Sequence, residues 1–363
     1  MPGMDMPVAL KQRKGRGAAS NASGRFEAEQ RVAFDDGWGA ADQDPVPLTT
    51  TLSIDSTRTI IARNDSPDIG FDRSINPYRG CEHGCIYCYA RPSHAYLGLS
   101  PGLDFESRLF YKPQAAKLLA AELRKKGYAC RPIALGSNTD PYQPVERKHG
   151  VTRAILEVLR DFRHPVTIVT KSALIQRDLD ILGEMARDRL AIAAISVTTL
   201  DRGLARVMEP RAATPERRLE TIAALAAAGV PAAVMSAPII PALNDSEMEQ
   251  ILERARAAGA TSAAYTLLRL PLELKDLFKE WLQAKFPAKA AHVLSLIAQT
   301  HGGRLYDSTW SKRMTGTGPY ADVLRLRFER ACRRLGFNER TTQSLDTSRF
   351  LPPPQKGDQL ALF

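Results

Sequence analysis

A chain of 363 residues with 44% apolar and 25% charged residues has the composition of a folded globular protein, neither disordered nor fibrous. Its most apolar stretch, Thr221 to Leu243, is broken by Gly229, Pro231, Pro238 and Pro241, which argues against a membrane span. MPGMDMPVALKQRKG at the start lacks the apolar core of a secretory signal, so the cytoplasm is the expected compartment, and the formal charge of +10 leaves open an anionic partner such as nucleic acid.

Residues 1–56 mix Gly, Ala, Ser and charges without apolar periodicity, and Lys11, Arg13, Lys14 and Arg16 form a small basic arm. A disordered N-terminal arm is expected there. From 57 to 300 short apolar runs alternate with amphipathic stretches. Strands are expected at Ser74–Arg79, Ile133–Gly136, Val166–Thr170, Ala191–Val197, Ala232–Ala237 and Ala263–Leu268. Helices are expected at about 113–126, 152–162, 173–187, 214–228 and 245–258. Thr214-Pro215-Glu216 reads as an N-cap with proline at the first helical position, and Asn244-Asp245-Ser246-Glu247 as a similar start. Gly127, Gly229 and Gly259 stand where helices end. Alternating strands and helices imply parallel βαβ units in an α/β fold, a partial (β/α)6 barrel of the TIM type. Function then belongs at the carboxyl ends of the strands. Residues 301–345 form a basic helical extension, with ten Lys/Arg against five Asp/Glu over 301–350. Residues 346–363 read as a Pro-rich linker, Leu351 to Gly357, ending in Gln359-Leu360-Ala361-Leu362-Phe363.

Three of the five cysteines fall within Cys81-Glu82-His83-Gly84-Cys85-Ile86-Tyr87-Cys88. A spacing of C-x3-C-x2-C puts three thiolates in one loop directly after the first strand. A fully protein-ligated iron–sulfur cluster takes four, so three leave one iron with open coordination. Read from spacing alone, a structural zinc site with His83 or His94 as fourth ligand competes. Zinc usually takes two separated ligand pairs, and no second Cys/His pair follows.

C-x3-C-x-Tyr-C after a first barrel strand resembles the radical S-adenosylmethionine (SAM) superfamily. The resemblance implies one 4Fe–4S cluster on Cys81, Cys85 and Cys88, whose open iron binds the amino and carboxylate groups of SAM. It implies reductive cleavage of SAM to methionine and a 5′-deoxyadenosyl radical, with electrons from a reductant such as flavodoxin or ferredoxin. Over about residues 70–270 the chain is most similar to the spore photoproduct lyase-like, or DNA-repair-photolyase-like, group.

That likeness extends to later strands. Gly136-Ser137-Asn138-Thr139-Asp140-Pro141-Tyr142 takes the place where the superfamily binds the SAM amino group, which nominates Ser137, Asn138 and Asp140. Thr170-Lys171-Ser172 resembles the segment whose lysine approaches the SAM carboxylate. Ser196 resembles a ribose contact, Arg211 in Glu209-Pro210-Arg211 a carboxylate clamp or the partner of Glu209, and Ser236 in Met235-Ser236-Ala237-Pro238 part of the adenine side. Each also has an ordinary structural reading: a turn, an exposed lysine, a small barrel residue. Tyr87 and Tyr89 flank the third cysteine as in the lyase and are the candidate catalytic tyrosines. Ser137 stands where the lyase has a hydrogen-donating cysteine, and Cys130 and Cys332 lie elsewhere, which puts lyase chemistry in doubt.

Gln359, Leu360, Leu362 and Phe363 resemble the peptide by which repair and replication proteins dock on the bacterial sliding clamp. The competing reading is a terminal segment docking on the enzyme's own surface. With the basic helix over 318–336, the tail implies DNA as a working environment. Three functions therefore compete. One is a radical SAM enzyme acting on DNA or a DNA-associated substrate. The second is one modifying RNA, a protein or a small molecule. The third is a non-catalytic DNA-associated protein with a structural cluster.

Overall fold

The computed structural model describes residues 13–31, 47–339 and 344–354. Lys11 and the Gln359–Phe363 peptide lie outside the described residues.

The core is a parallel sheet of six strands: β1 (Arg73–Ile75), β2 (Ile133–Leu135), β3 (Val166–Thr170), β4 (Ala191–Ser196), β5 (Ala232–Ile239) and β6 (Ser262–Leu267), hydrogen-bonded in chain order. The short strand Ala62–Arg63 adds antiparallel to β1 at the edge. Side chains on both faces are covered, as a parallel sheet requires, so the strands read as near-continuous apolar runs such as Ala191-Ile192-Ala193-Ala194-Ile195. The outer layer includes α1 (Ala115–Leu123), α2 (Val151–Asp161), α3 (Leu179–Arg187), α4 (Pro215–Ala227) and α5 (Met248–Ala257). The arrangement is the expected partial α/β barrel. Past β6 come α6 (Leu274–Lys285), α7 (Pro287–Thr300) and α8 (Pro319–Leu335). Among the described residues no helix is long and apolar enough to cross a membrane.

The helix signals act as read. Thr214 Oγ1 accepts the Arg217 N–H, capping α4 behind Pro215. Gly127, Gly229 and Gly259 all take positive φ where chain direction reverses. Asn244 does something else: its buried side chain accepts the Ile240 N–H at 2.6 Å and donates to the carbonyls of Thr198 and Pro238. It fastens the β5 loop to the β4 loop instead of capping a helix.

Four expectations are corrected. The first strand is two pieces, because Pro77 has no N–H to pair and Asn76 turns its side chain to the Asn138 and Thr139 N–H groups. Ser74 and Ile75 stay in the barrel, while Tyr78–Arg79 joins a second sheet with Arg108–Tyr111 and Thr51–Ile54. The N-terminal arm is ordered wherever it is described. Its anchors are polar: Glu106 receives the Gly17 and Ala18 N–H groups, each at 2.9 Å, and Arg16 donates to the carbonyls of Glu106 and Leu48. Apolar periodicity could not reveal such a contact. The basic helix α8 is part of the barrel wall: Phe328 packs on Tyr265 of β6, Arg327 is held by Glu249, and Arg334 by Glu253. Finally, residues 344–354, the described part of the expected linker and tail, form a strap, with Phe350 against Tyr128 and His164 and the Leu351 N–H on the Phe162 carbonyl.

Candidate active site

One cavity of ≈ 630 Å³ opens at the carboxyl ends of the strands. It is lined by all three motif cysteines, both candidate tyrosines, Ser137, Asn138, Asp140, Lys171 and Ser196. These residues come from the loop after β1 and the ends of β2, β3 and β4, so the barrel topology alone gathers them.

The cysteine loop is held from behind. Gly80 and Gly84 take positive φ, and a Cβ at Gly84 would meet Glu106 Oε2 at 2.7 Å. The Cys81 N–H reaches the Phe105 carbonyl, and Gln143 bridges the loop by accepting from Glu82 N–H and donating to the Gly80 carbonyl. Arg91 is fully buried and donates to the carbonyls of Gly84, Cys85, Pro101 and Gly102, with its charge met by Glu106. The loop backbone is thus fixed while its three sulfurs face the cavity.

Burial pushes the Cys81 thiol well up and the Cys85 thiol up to about 12. These two free thiols are therefore neutral, and taking up iron must release their protons. Among the described residues no three His, Cys, Asp or Glu side chains converge as the ligands of a single ion do. A cluster asks for a different set, one thiolate for each of three irons around a shared void. Three cysteines lining one cavity, with no fourth cysteine there, fit that group. His83 is committed to Asp140, Nδ1 to Oδ2 at 3.3 Å, and His94 packs against Phe105 behind the loop.

The loop after β2 is stitched to the loop after β1 through Asn76, which also donates to Ser137 Oγ. Gly136 has φ of +89°, and a Cβ there would stand 2.2 Å from the Val169 carbonyl, so only glycine lets β2 pass β3 at this point. Asp140 works as a structural hub. Burial opposes its ionisation, but His83, Thr170 Oγ1 and the Lys171 N–H outweigh that and hold it down to about 2. Its oxygens are therefore occupied by the protein.

Lys171 ends β3 with Nζ 5.6 Å from the Tyr87 ring centre. Burial works against its charge, yet the Cys85 and Glu209 side raises its pKa overall. Tyr87 is buried and its hydroxyl donates to Glu209, which is paired with the buried Arg218 at 2.5 Å. Tyr89 is half-exposed, donates to the Ser137 carbonyl, and lies beneath Arg269 at 4.9 Å.

Three nominated residues fall outside the cavity. Arg211 pairs with Glu82 at 3.1 Å, and the partner of Glu209 is Arg218, seven positions further along on α4. Ser172 accepts the Leu174 N–H and starts the short helix Ala173–Asp178. Ser236 is buried while its neighbours Met235 and Ala237 line the cavity, because successive strand side chains alternate faces. Cys130 and Cys332 do not line it either. Sequence reading missed Arg91, Glu106, Gln143, Glu209 with Arg218, and Arg269.

Residues 75–255 match the model of the radical SAM superfamily. An uncharacterized protein of Mycobacterium tuberculosis (strain ATCC 25618 / H37Rv) is 38% identical over 219 residues, covering 60% of this chain and 64% of that protein. One from Methanocaldococcus jannaschii is 27% identical over 213 residues, covering 59% and 76%. The chain thus spans less than two thirds of the mycobacterial relative's length. Among solved structures, a mutant spore photoproduct lyase with bound AdoMet and dinucleoside spore photoproduct superposes with a TM-score of 0.56 at 14% identity, covering 79% of this chain and 80% of that one. Spore photoproduct lyase complexed with dinucleoside spore photoproduct gives 0.55 at 14%, with the same coverage. At such identity the likeness is one of fold.

Proposed function

We propose that this chain, which belongs to the radical SAM superfamily, is a cytoplasmic enzyme that cleaves SAM reductively and acts on DNA or a DNA-associated substrate. The observation that carries the enzyme reading is the single cavity onto which Cys81, Cys85 and Cys88 open beside Lys171, Ser137 and Ser196. The superfamily implies one 4Fe–4S cluster and SAM, and its members need a reductant. When bound, the cluster supplies the electron that breaks SAM into methionine and a 5′-deoxyadenosyl radical.

The protein's own residues do the rest. Arg91 and Gln143 fix the cysteine loop, and Lys171 offers a charge for the SAM carboxylate. Asn138 and Ser137 present polar groups for its amino end, and Ser196 a hydroxyl for the ribose. Tyr87 and Tyr89 border the space where a substrate would meet the radical.

The DNA side of the reading rests on the charge of +10 and the Gln359, Leu360, Leu362 and Phe363 peptide, which suits a sliding clamp. The enzyme reading is tested by 5′-deoxyadenosine formation from SAM under anaerobic conditions with a strong reductant, wild type against Cys85→Ala. Product in wild type alone is expected. No product from wild type with an intact, reducible cluster, with or without added DNA, would favour a structural cluster. Clamp capture that is equal with and without the last five residues would sever the clamp link alone.

A further inference from the structure

Among the described residues the cavity lining carries three cationic side chains, Lys171, Arg269 and Arg313, and one carboxylate, Asp140. Asp140 is spent on His83, Thr170 and the Lys171 backbone. Arg313 is neutralised by Asp68, which receives its Nε at 2.7 Å. Among the described residues neither Lys171 nor Arg269 has a carboxylate within ion-pair distance, although Glu209 and Asp140 favour the Lys171 charge from further off. SAM brings one carboxylate, and in the reading above Lys171 takes it.

Arg269 lies just past β6. Its guanidinium carbon lies over the Tyr89 ring, 4.9 Å from the ring centre. Its Nε is buried with no hydrogen-bond partner, and Nη1 reaches only the Met314 sulfur, at 3.5 Å, a weak acceptor. A partly buried guanidinium over an aromatic ring, with a buried Nε unpartnered among the described residues, suits an oxyanion from outside the protein. The wall beside it is apolar, with Ile69, Phe71, Met235 and Met314. Trp310 is 54% exposed on the same loop as Arg313, which lines the cavity, and Ser311 and Arg313 pin that loop to Asp68. Cation, apolar wall and exposed aromatic ring are the elements that receive a phosphate and its neighbouring base.

We infer that Arg269 binds a phosphate of a nucleotide-type substrate and so sets which part of that substrate lies beside Tyr89. The inference rests on the functional reading above and names the group that recognises the substrate. Arg269 is here a specificity residue for substrate, distinct from the groups that hold SAM.

The test is equilibrium binding, with SAM present and no reductant, of a deoxydinucleoside monophosphate and its uncharged methylphosphonate analogue. One charge on a small probe isolates the cavity from the basic surface. Wild type is expected to bind the charged probe about tenfold tighter or more, the worth of one hydrogen bond to a charged group. Arg269→Gln and Arg269→Met are expected to erase that preference and to leave SAM affinity within about twofold, as a change at a separate site should. Equal binding of the two probes by wild type overturns the proposal without any variant. So does a preference that survives in both variants, or a loss of SAM affinity in place of probe affinity. A Glu-Glu dipeptide that displaces the charged probe more strongly than inorganic phosphate does would overturn the nucleotide class. Because no turnover occurs, failure to form 5′-deoxyadenosine would leave this result standing.

Discussion

Glu106→Gln should loosen both the N-terminal arm and the cysteine loop, although Glu106 does not line the cavity. The carboxylate receives the Gly17 and Ala18 N–H groups and the Arg91 guanidinium, and both ionic side chains are fully buried. An amide of the same shape offers one acceptor oxygen and turns an NH2 toward a donor. One N–H is left unpaired, worth about 1–3 kcal/mol, and Arg91 keeps a buried charge without a counterion, worth about 3–5 kcal/mol. The two penalties overlap, so the expected loss is about 3–5 kcal/mol, a large share of the roughly 5–15 kcal/mol that holds a protein folded.

Since each ~1.4 kcal/mol is tenfold, protection against hydrogen exchange should fall by about a hundredfold or more in peptides covering 13–24 and 80–91. Glu220→Gln, which breaks the exposed Arg217 pair, is the control and should change little. Adding Arg91→Met to Glu106→Gln should recover part of the loss, because the stranded charge is gone. Unchanged exchange in both segments, with no coupling between the two substitutions, would refute the reasoning.

Gly17→Ala should unseat the arm alone: its Cβ would stand 1.8 Å from the Gly84 carbonyl, so exchange rises over 13–24 while iron content after reconstitution is kept. Burial holds His164 down to about 4, below its unfolded value near 6.5. The unfolded chain therefore binds more protons between these values, and stability falls as pH drops through that window, by up to ~1.4 kcal/mol per pH unit. Melting temperature against pH should show a shallower slope in His164→Gln, which keeps an acceptor for the Tyr128 hydroxyl; identical slopes would discount His164. Loading iron and sulfide onto the apoprotein in weak buffer should release at least two protons beyond those given up by sulfide itself, one each from Cys81 and Cys85, as these buried neutral thiols become ligands. Calorimetry in buffers of different ionisation enthalpy counts them, and zero would contradict the raised thiols. Lys171→Met should weaken SAM binding by about tenfold or more, the loss of one charged hydrogen bond, with secondary structure unchanged by circular dichroism.

The sequence was most legible where a local pattern has one physical meaning. β3 and β4 are short apolar runs that only a covered parallel strand explains, and Thr214-Pro215 can do little but start a helix. The cysteine loop was readable because three ligands of one centre must be near neighbours in a chain this poor in cysteine. Errors came where neighbours in sequence are not neighbours in space. Ser236 looked chemical, but strand alternation gives the cavity to Met235 and Ala237. Arg211 reads as a carboxylate clamp or as the partner of Glu209, yet the helix start at Thr214 carries Arg218 to Glu209 and Arg211 pairs with Glu82. The arm looked disordered because its attachment is a set of backbone donors on one carboxylate, which leaves no periodic trace.

Four of the residues that reading missed share a property. Arg91 with Glu106, and Arg218 with Glu209, are buried ion pairs set just behind the cavity wall. Well-packed apolar residues could give equal or greater stability at such places, so stability alone does not account for them. What apolar residues cannot do is bind carbonyls directionally. Arg91 gathers four of them from the cysteine loop and its neighbours, and Arg218 takes the carbonyls of Ala213 and Ser196 while its partner holds the Tyr87 hydroxyl. Each pair therefore converts charge into position, one for the loop that carries the thiols and one for the wall that carries Tyr87 and Ser196. A centre with one open iron depends on that stiffness, because three ligands restrain a cluster less than four. The cavity's chemistry is written in its lining, and its geometry is written one layer deeper, in charges that no motif announces.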